Sequence, residues 1–156
     1  MRNILVLILI SLSLITFSQE LNVGLDFGSN FIKENPLAIS ASVEYRPSKS
    51  IMSLNTGITV ITASSNTIMS FPLFIKAIIG NEFRISPLFG GFIRTNENYG
   101  WYAGLEIEYY LVSHSAIFVQ GEYTKEFYKN DTPRGYVINK DSSIWVRIGF
   151  KKKLLK

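Results

Sequence analysis

A single histidine, His114, stands between Ser113 and Ser115, with Glu122 in the stretch that follows. A hydroxyl, an imidazole and a carboxylate are the parts of an activated nucleophile. Serine and histidine are equally ordinary turn residues, and such a trio works only where its geometry converges. A second set, Glu106 and Glu108, projects to one side of an extended segment with Cα atoms roughly 6.5 to 7 Å apart, which overlaps the spacing of paired acid and base carboxylates. Ion pairing with bases on neighbouring strands uses the same two groups and is the reading adopted. Asp131 and Asp141 could hold a cation weakly, without the spacing of an EF-hand loop. The chain has no cysteine, which removes disulfides, thiolate zinc sites and a cysteine nucleophile. The expectation is a non-enzymatic protein without cofactor or metal.

The elements that would position these residues are strands. Arg2, the 14-residue apolar run ILVLILISLSLITF and the small residues Thr16 and Ser18 make a signal peptide, residues 1–18, cleaved after Ser18. A spanning helix needs roughly 20 apolar residues, and Gln19, Glu20 and Asn22 end this run first. The remaining 19–156 form one domain. Two-residue alternation marks eight strands at about 20–31, 37–46, 51–61, 67–79, 83–94, 100–111, 115–127 and 142–152. Most exceed the common strand length of five or six residues and suit a tilted crossing of a bilayer. PSKS, GNE and VSHS make tight turns at one end, whereas IKENP, ASSN, TNENYG and KNDTPRGYVINKDSS join the other, the last as a long loop. Pro72 and Pro87 fall inside the fourth and fifth strands, where bulges could absorb the lost donors.

Sorting the strands by parity separates an apolar face from a polar one. The first carries residues such as Leu25, Ile39, Leu54, Leu73, Leu105 and Ile148; the second carries Asp26, Glu44, Arg46, Lys76, Arg84, Arg94, Glu106, Glu108, Glu122, Glu126 and Arg147 among glycines and serines. Glycine weakens a solvent-exposed strand, whereas a narrow eight-stranded lumen needs small residues, and its charges must pair. The charge cluster expected in the lumen is therefore Asp26, Glu44, Arg46, Lys76, Arg84, Glu106, Glu108, Glu122 and Arg147. Tyr45, Phe83, Tyr109 and Phe150 at the tight-turn end, with Phe31, Trp101 and Phe127 at the loop end, form two candidate interface girdles. Hydrophobic residues reach 47% against 18% charged, and no basic stripe with interleaved aromatics suggests nucleic acid. The alternative is a secreted or periplasmic soluble barrel, lipocalin-like, holding an apolar ligand; it keeps the strands and inverts every face.

SFPLFIKAII (70–79), ISPLFGGFI (85–93) and GLEIEYYLVSHSAIFVQGEYTKEF (104–127) resemble strands of the small outer-membrane β-barrel domains of Gram-negative bacteria, the OmpA-like and OmpX-like group. The resemblance implies an all-β, eight-stranded antiparallel up-and-down transmembrane barrel in the outer membrane, with no particular activity. Its partners would be outer-membrane lipid and lipopolysaccharide, the barrel-assembly machinery, and a surface partner at loop 129–142 through Arg134, Tyr136 and Lys140. Such barrels commonly end in an aromatic read by that machinery; here the chain continues past Phe150 through KKKLLK.

Overall fold

The structure, a computed structural model, describes residues 18–31, 36–47, 50–63, 66–112, 114–132 and 135–155; for residues 18, 19, 63, 129–139 and 155 it describes the backbone alone. The signal-peptide expectation for residues 1–18 therefore lies outside the described residues, apart from Ser18. The strands are β1 (Ser18–Asn30), β2 (Leu37–Pro47), β3 (Met52–Ala63), β4 (Asn66–Ala77), β5 (Ile79–Gly80), β6 (Phe83–Arg94), β7 (Tyr99–Val112), β8 (Ser115–Thr132) and β9 (Gly135–Leu155). The two-residue β5 continues the line of β4 against β6, so the wall has eight strands. Each pairs antiparallel with its sequence neighbours, and β1 pairs with β9, which closes an all-β, up-and-down barrel with no free edge along its wall.

Alternation decides which way each side chain points. Along β7, Leu105, Ile107 and Tyr109 are exposed while Glu106 and Glu108 are buried. The same pattern runs round the wall: Leu25, Ile39, Leu54, Leu73, Phe89 and Ile148 face outward. A contiguous apolar exterior on this scale marks a surface made to meet lipid or another protein.

The interior is filled by bulky side chains set against glycines. Gly90 pairs with Phe74 on β4 and with Tyr102 on β7, Gly100 with Phe92, and Gly149 with Phe118. A Cβ on Gly90 would stand 2.3 Å from the Phe74 Cβ, and one on Gly149 would stand 2.4 Å from the Phe118 ring. Phe74 and Phe92, which break the polar parity in the sequence, join Leu88 and Tyr102 in one buried cluster. Phe74 and Tyr102 meet edge to face with ring centroids 5.5 Å apart.

Two expectations about the ends need correction. The segment expected as the long loop 129–142 continues the wall as a hairpin, paired from Phe127↔Lys140 to Thr132↔Gly135. Tyr136, Val137 and Ile138 are strand formers, and the polar residues around them hide their run in the sequence. The last strand, expected to end near 152, runs on through Leu155 as β9, where Lys151, Lys152 and Lys153 pair with Gly24, Val23 and Asn22. Its alternation follows that of Arg147 and Gly149, so Lys151 is buried at 4% exposure.

The prolines are accommodated without bulges. The β3–β4 ladder omits the pairs opposite Pro72 yet keeps one register from Thr56↔Leu73 to Thr59↔Ser70, and the Thr56 hydroxyl donates to the Pro72 carbonyl at 3.0 Å. Pro87 lies where β4 leaves the β6 ladder, between Lys76↔Leu88 and Ile79↔Ile85. There the Ile78 N–H turns to the Ile51 carbonyl at 2.6 Å. The prolines thus stand where a neighbouring ladder already has a gap.

The fit of Gly90 yields an expected outcome. Gly90→Val should lower the urea-unfolding free energy by on the order of 3 kcal/mol, because both flanking walls are full. Gly121→Val is the control, since a Cβ there meets nothing within 4 Å, and it should change stability by no more than about 0.5 kcal/mol. Equal effects of the two substitutions would show that the interior is not close-packed at Gly90.

Candidate functional site

The inward side chains of β1, β2, β4 and β6–β9 build a stack of ion pairs along the lumen. At the tight-turn end Glu20 accepts from Lys153 Nζ at 2.5 Å and from Arg46 Nη1 at 3.3 Å, with Arg84 Nη1 at 3.7 Å. Arg84 also donates to the Tyr110 hydroxyl at 2.9 Å. Its guanidinium reaches the Glu108 carboxylate at 3.9 Å.

Above this level two lysines and three glutamates share one site. Lys76 donates to Glu44 and, at 2.8 Å, to Glu106. Lys151 donates to Glu106, to Glu108 at 3.1 Å and to Glu44 at 3.4 Å. Lys76 and Glu106 are each 1% exposed, so solvent contributes almost nothing to holding these charges. Only mutual pairing offsets their desolvation.

Higher still, Arg147 joins Asp26 at 3.2 Å, Glu122 at 3.0 Å and the Ser40 hydroxyl at 2.7 Å, so that one guanidinium bridges β9, β1, β8 and β2. Gln120 donates to the second Glu122 oxygen at 2.9 Å. Near the loop end Arg94 and Asn98 hold Glu126 at 2.5 and 2.7 Å. Among the described residues these ion pairs engage seven acids and seven bases, so the network carries no net charge. The space left between its middle and upper levels is a cavity of about 50 Å³ bounded by Asp26, Arg94, Tyr102, Glu122 and Arg147. This is room for a few water molecules at most.

All nine residues of the expected charge cluster thus point inward and pair. Arg94 and Glu126, which share the polar face in the sequence, pair with each other, and Glu20, Lys151 and Lys153 join the network as well; the parity of β9 carries the signal for both lysines. Tyr102, Phe118 and Trp145 also lie inside, buried to 4%, 3% and 3% exposure. The candidate nucleophile is not assembled: Ser115 opens β8, and Glu122 lies roughly 23 Å along the strand at about 3.3 Å per residue, turned to Arg147. His114 sits in the exposed turn, where its carbonyl accepts from the Lys153 N–H at 2.8 Å. Ser113 lies outside the described residues. Glu106 and Glu108 are both committed to lysines. Asp141 accepts the Ser142 N–H at 2.8 Å, and no cluster of three or more metal-ligating side chains occurs among the described residues.

Of the aromatics, Phe83, Tyr109 and Phe150 are exposed at the tight-turn end and Phe31 and Trp101 at the loop end. Tyr45 and Phe127 are half-buried, and Phe127 stacks on Tyr99 at 5.7 Å. Trp101 lies between Phe89 and Tyr123 at 6.2 and 5.8 Å. Lys140 is exposed in β9, Tyr136 is described by its backbone alone, and Arg134 lies outside the described residues.

No family model matches the chain, and no curated protein matches it. Solved structures do. A designed transmembrane β-barrel aligns at TM-score 0.63 with 16% identity, covering 88% of this chain and 97% of its own. The N-terminal β-barrel domain of Pseudomonas aeruginosa OprF aligns at 0.58 with 10% identity, covering 86% and 98%. The outer-membrane protein AlkL, solved in lipid bilayers, aligns at 0.53 with 8% identity, covering 89% and 92%. At these identities the likeness is one of fold: a closed eight-stranded barrel resembling those of outer membranes.

The shared lysine site gives a second expected outcome. Lys76→Met leaves Glu44 and Glu106 with Lys151 alone and should cost about 3–5 kcal/mol of unfolding free energy. Combining it with Glu106→Gln should cost less than the sum of the two single changes by about 1–3 kcal/mol. Strict additivity in that urea-unfolding cycle would mean the charges act independently.

Proposed function

We propose that the chain is an integral outer-membrane β-barrel protein with a non-enzymatic role, structural or in surface contact, exported by a signal peptide removed after Ser18. The observation that carries this reading is the inversion of the usual arrangement: leucines, isoleucines and aromatics outside, paired ions inside. In water such an exterior is costly, at about 25 cal/mol per Å² of apolar surface; in a bilayer it meets its own kind. A closed ladder also satisfies the backbone where no water is present. The resemblance in fold to the OprF domain and to AlkL supports the same assignment.

The filled lumen argues against a wide diffusion path: among the described residues the cavity between its ion-pair levels is about 50 Å³. A soluble barrel with an apolar ligand inside would require the reverse of the ionic interior. The four connections at one end, including the β8–β9 hairpin, would face outward and offer 129–142 as the surface for partner contact. Outer-membrane lipid, lipopolysaccharide and the barrel-assembly machinery are the partners this reading implies, with Phe150 as an internal counterpart of the terminal aromatic. Nucleic acid is not among them.

Heat-modifiable gel mobility of separated membrane and soluble fractions checks the assignment. The expected result is an outer-membrane band that shifts on boiling; a protein that stays soluble without detergent would overturn it. Protease treatment of whole cells should cut within 129–142. Protection there, while a known surface marker is cleaved, would reverse the orientation.

A further inference from the structure

On the outer face, two rows of side chains cross β9, β1, β2 and β3 side by side. One row is Phe150, Leu25, Ala41 and Ile58; the other is Lys152, Val23, Val43 and Thr56. Ala41 is the small member of its row, flanked by Leu25 and Ile58, and beneath the rows lie Gly24, Ser42 and Gly57. The result is an open furrow of about 740 Å³ along the wall, lined almost wholly by apolar surface, within the range of small-molecule and lipid sites.

Lys152 bounds this furrow at the tight-turn end, opposite Ser115, the first residue of β8. It is exposed, and among the described residues it has no carboxylate or hydrogen-bond partner. Lys125, also on the outer face, is differently placed: it donates to the Ser142 hydroxyl at 3.1 Å near the loop end, the end at which Lys140 is exposed too. The seven acids of the ion pairs lie in the lumen, and among the described residues no carboxylate pairs with the Lys152 ammonium. An ammonium at the headgroup level of a bilayer is drawn to anionic lipid, and its methylene stem can lie along apolar surface while the charge reaches the interface.

We propose that the furrow and Lys152 seat one anionic phospholipid of the leaflet at the tight-turn end. The phosphate rests on the Lys152 ammonium, and one acyl chain lies over Ala41 between Leu25 and Ile58. The assignment rests on the outer-membrane reading and adds a defined lipid site to it. Charge complementarity selects a lipid over a second copy of the chain, which would bring another Lys152 to the same uncompensated position across a two-fold axis.

Native mass spectrometry of the detergent-purified protein, with phosphatidylglycerol or phosphatidylcholine of matched acyl chains, tests this. The native chain should retain phosphatidylglycerol about fivefold better, the factor a single lysine at an anionic surface supplies. Lys152→Gln should abolish the preference, Ala41→Leu should reduce retention of both lipids by filling the furrow, and Lys125→Gln should change neither. Equal retention of the two lipids by the native chain overturns the site. So does native-like behaviour of Lys152→Gln or Ala41→Leu, an equal loss in Lys125→Gln, or a dimer that Ala41→Leu dissolves. Heat-modifiable mobility of the same samples separates the two ideas: a folded barrel without lipid preference removes the site and leaves the outer-membrane reading, whereas a chain that folds without detergent removes both.

Discussion

An eight-stranded wall closes on a lumen only as wide as the side chains that line it, and that volume limit organises the rest of the structure. Each inward position competes for the same narrow space. Where an aromatic takes it, the neighbouring strand carries glycine, as at Gly90 between Phe74 and Tyr102 or Gly149 against Phe118. Where a charge takes it, too little water can stand beside it to solvate it, so an opposite charge must. The shared site of Lys76, Lys151, Glu44, Glu106 and Glu108 answers the same packing problem with electrostatics in place of shape.

The limit also explains what the wall tolerates. Main-chain bonds can lapse where side chains still interlock. β4 loses pairs to β3 beside Pro72 and to β6 beside Pro87, yet its register holds on both sides. Phe74 against Gly90 and Lys76 between Glu44 and Glu106 fix β4 from the inside. Register is a property of which residues fit the lumen, because a shift of one residue would turn every charged group to the apolar face.

Much of this was legible in the sequence. Alternation in GLEIEYYL and its counterparts separates the two faces, and the glycines and paired charges on one of them say which face is the lumen. The positions of the tight turns follow from PSKS, GNE and VSHS. What escaped had a common cause: residues whose local composition points one way and whose pairing points another. The end of KKKLLK is a solvated tail by composition, but its partners on β1 carry the strand past 152 and bring Lys153 to Glu20. KNDTPRGYVINKDSS reads as a loop because polar residues dominate, whereas the β8 residues opposite extend it as a strand. Phe118 and Trp145 were likewise hidden, since an inward aromatic is recognised only through the glycine or the small residues facing it.

Seven of the eight wall contacts join strands that follow one another in the chain, and hairpins of this kind assemble quickly from local contacts. The eighth, β1 with β9, is the exception, and the lumen's ions depend on it. Arg147 meets Asp26 at a sequence separation of 121, and Lys151 meets Glu44 at one of 107. A chain of hairpins lacking that seam therefore holds Arg147 and Lys151 short of their partners on β1 and β2. The ionic lumen acts as a latch that engages when the first strand reaches the last, and it makes the open sheet a poor resting place for the folding chain.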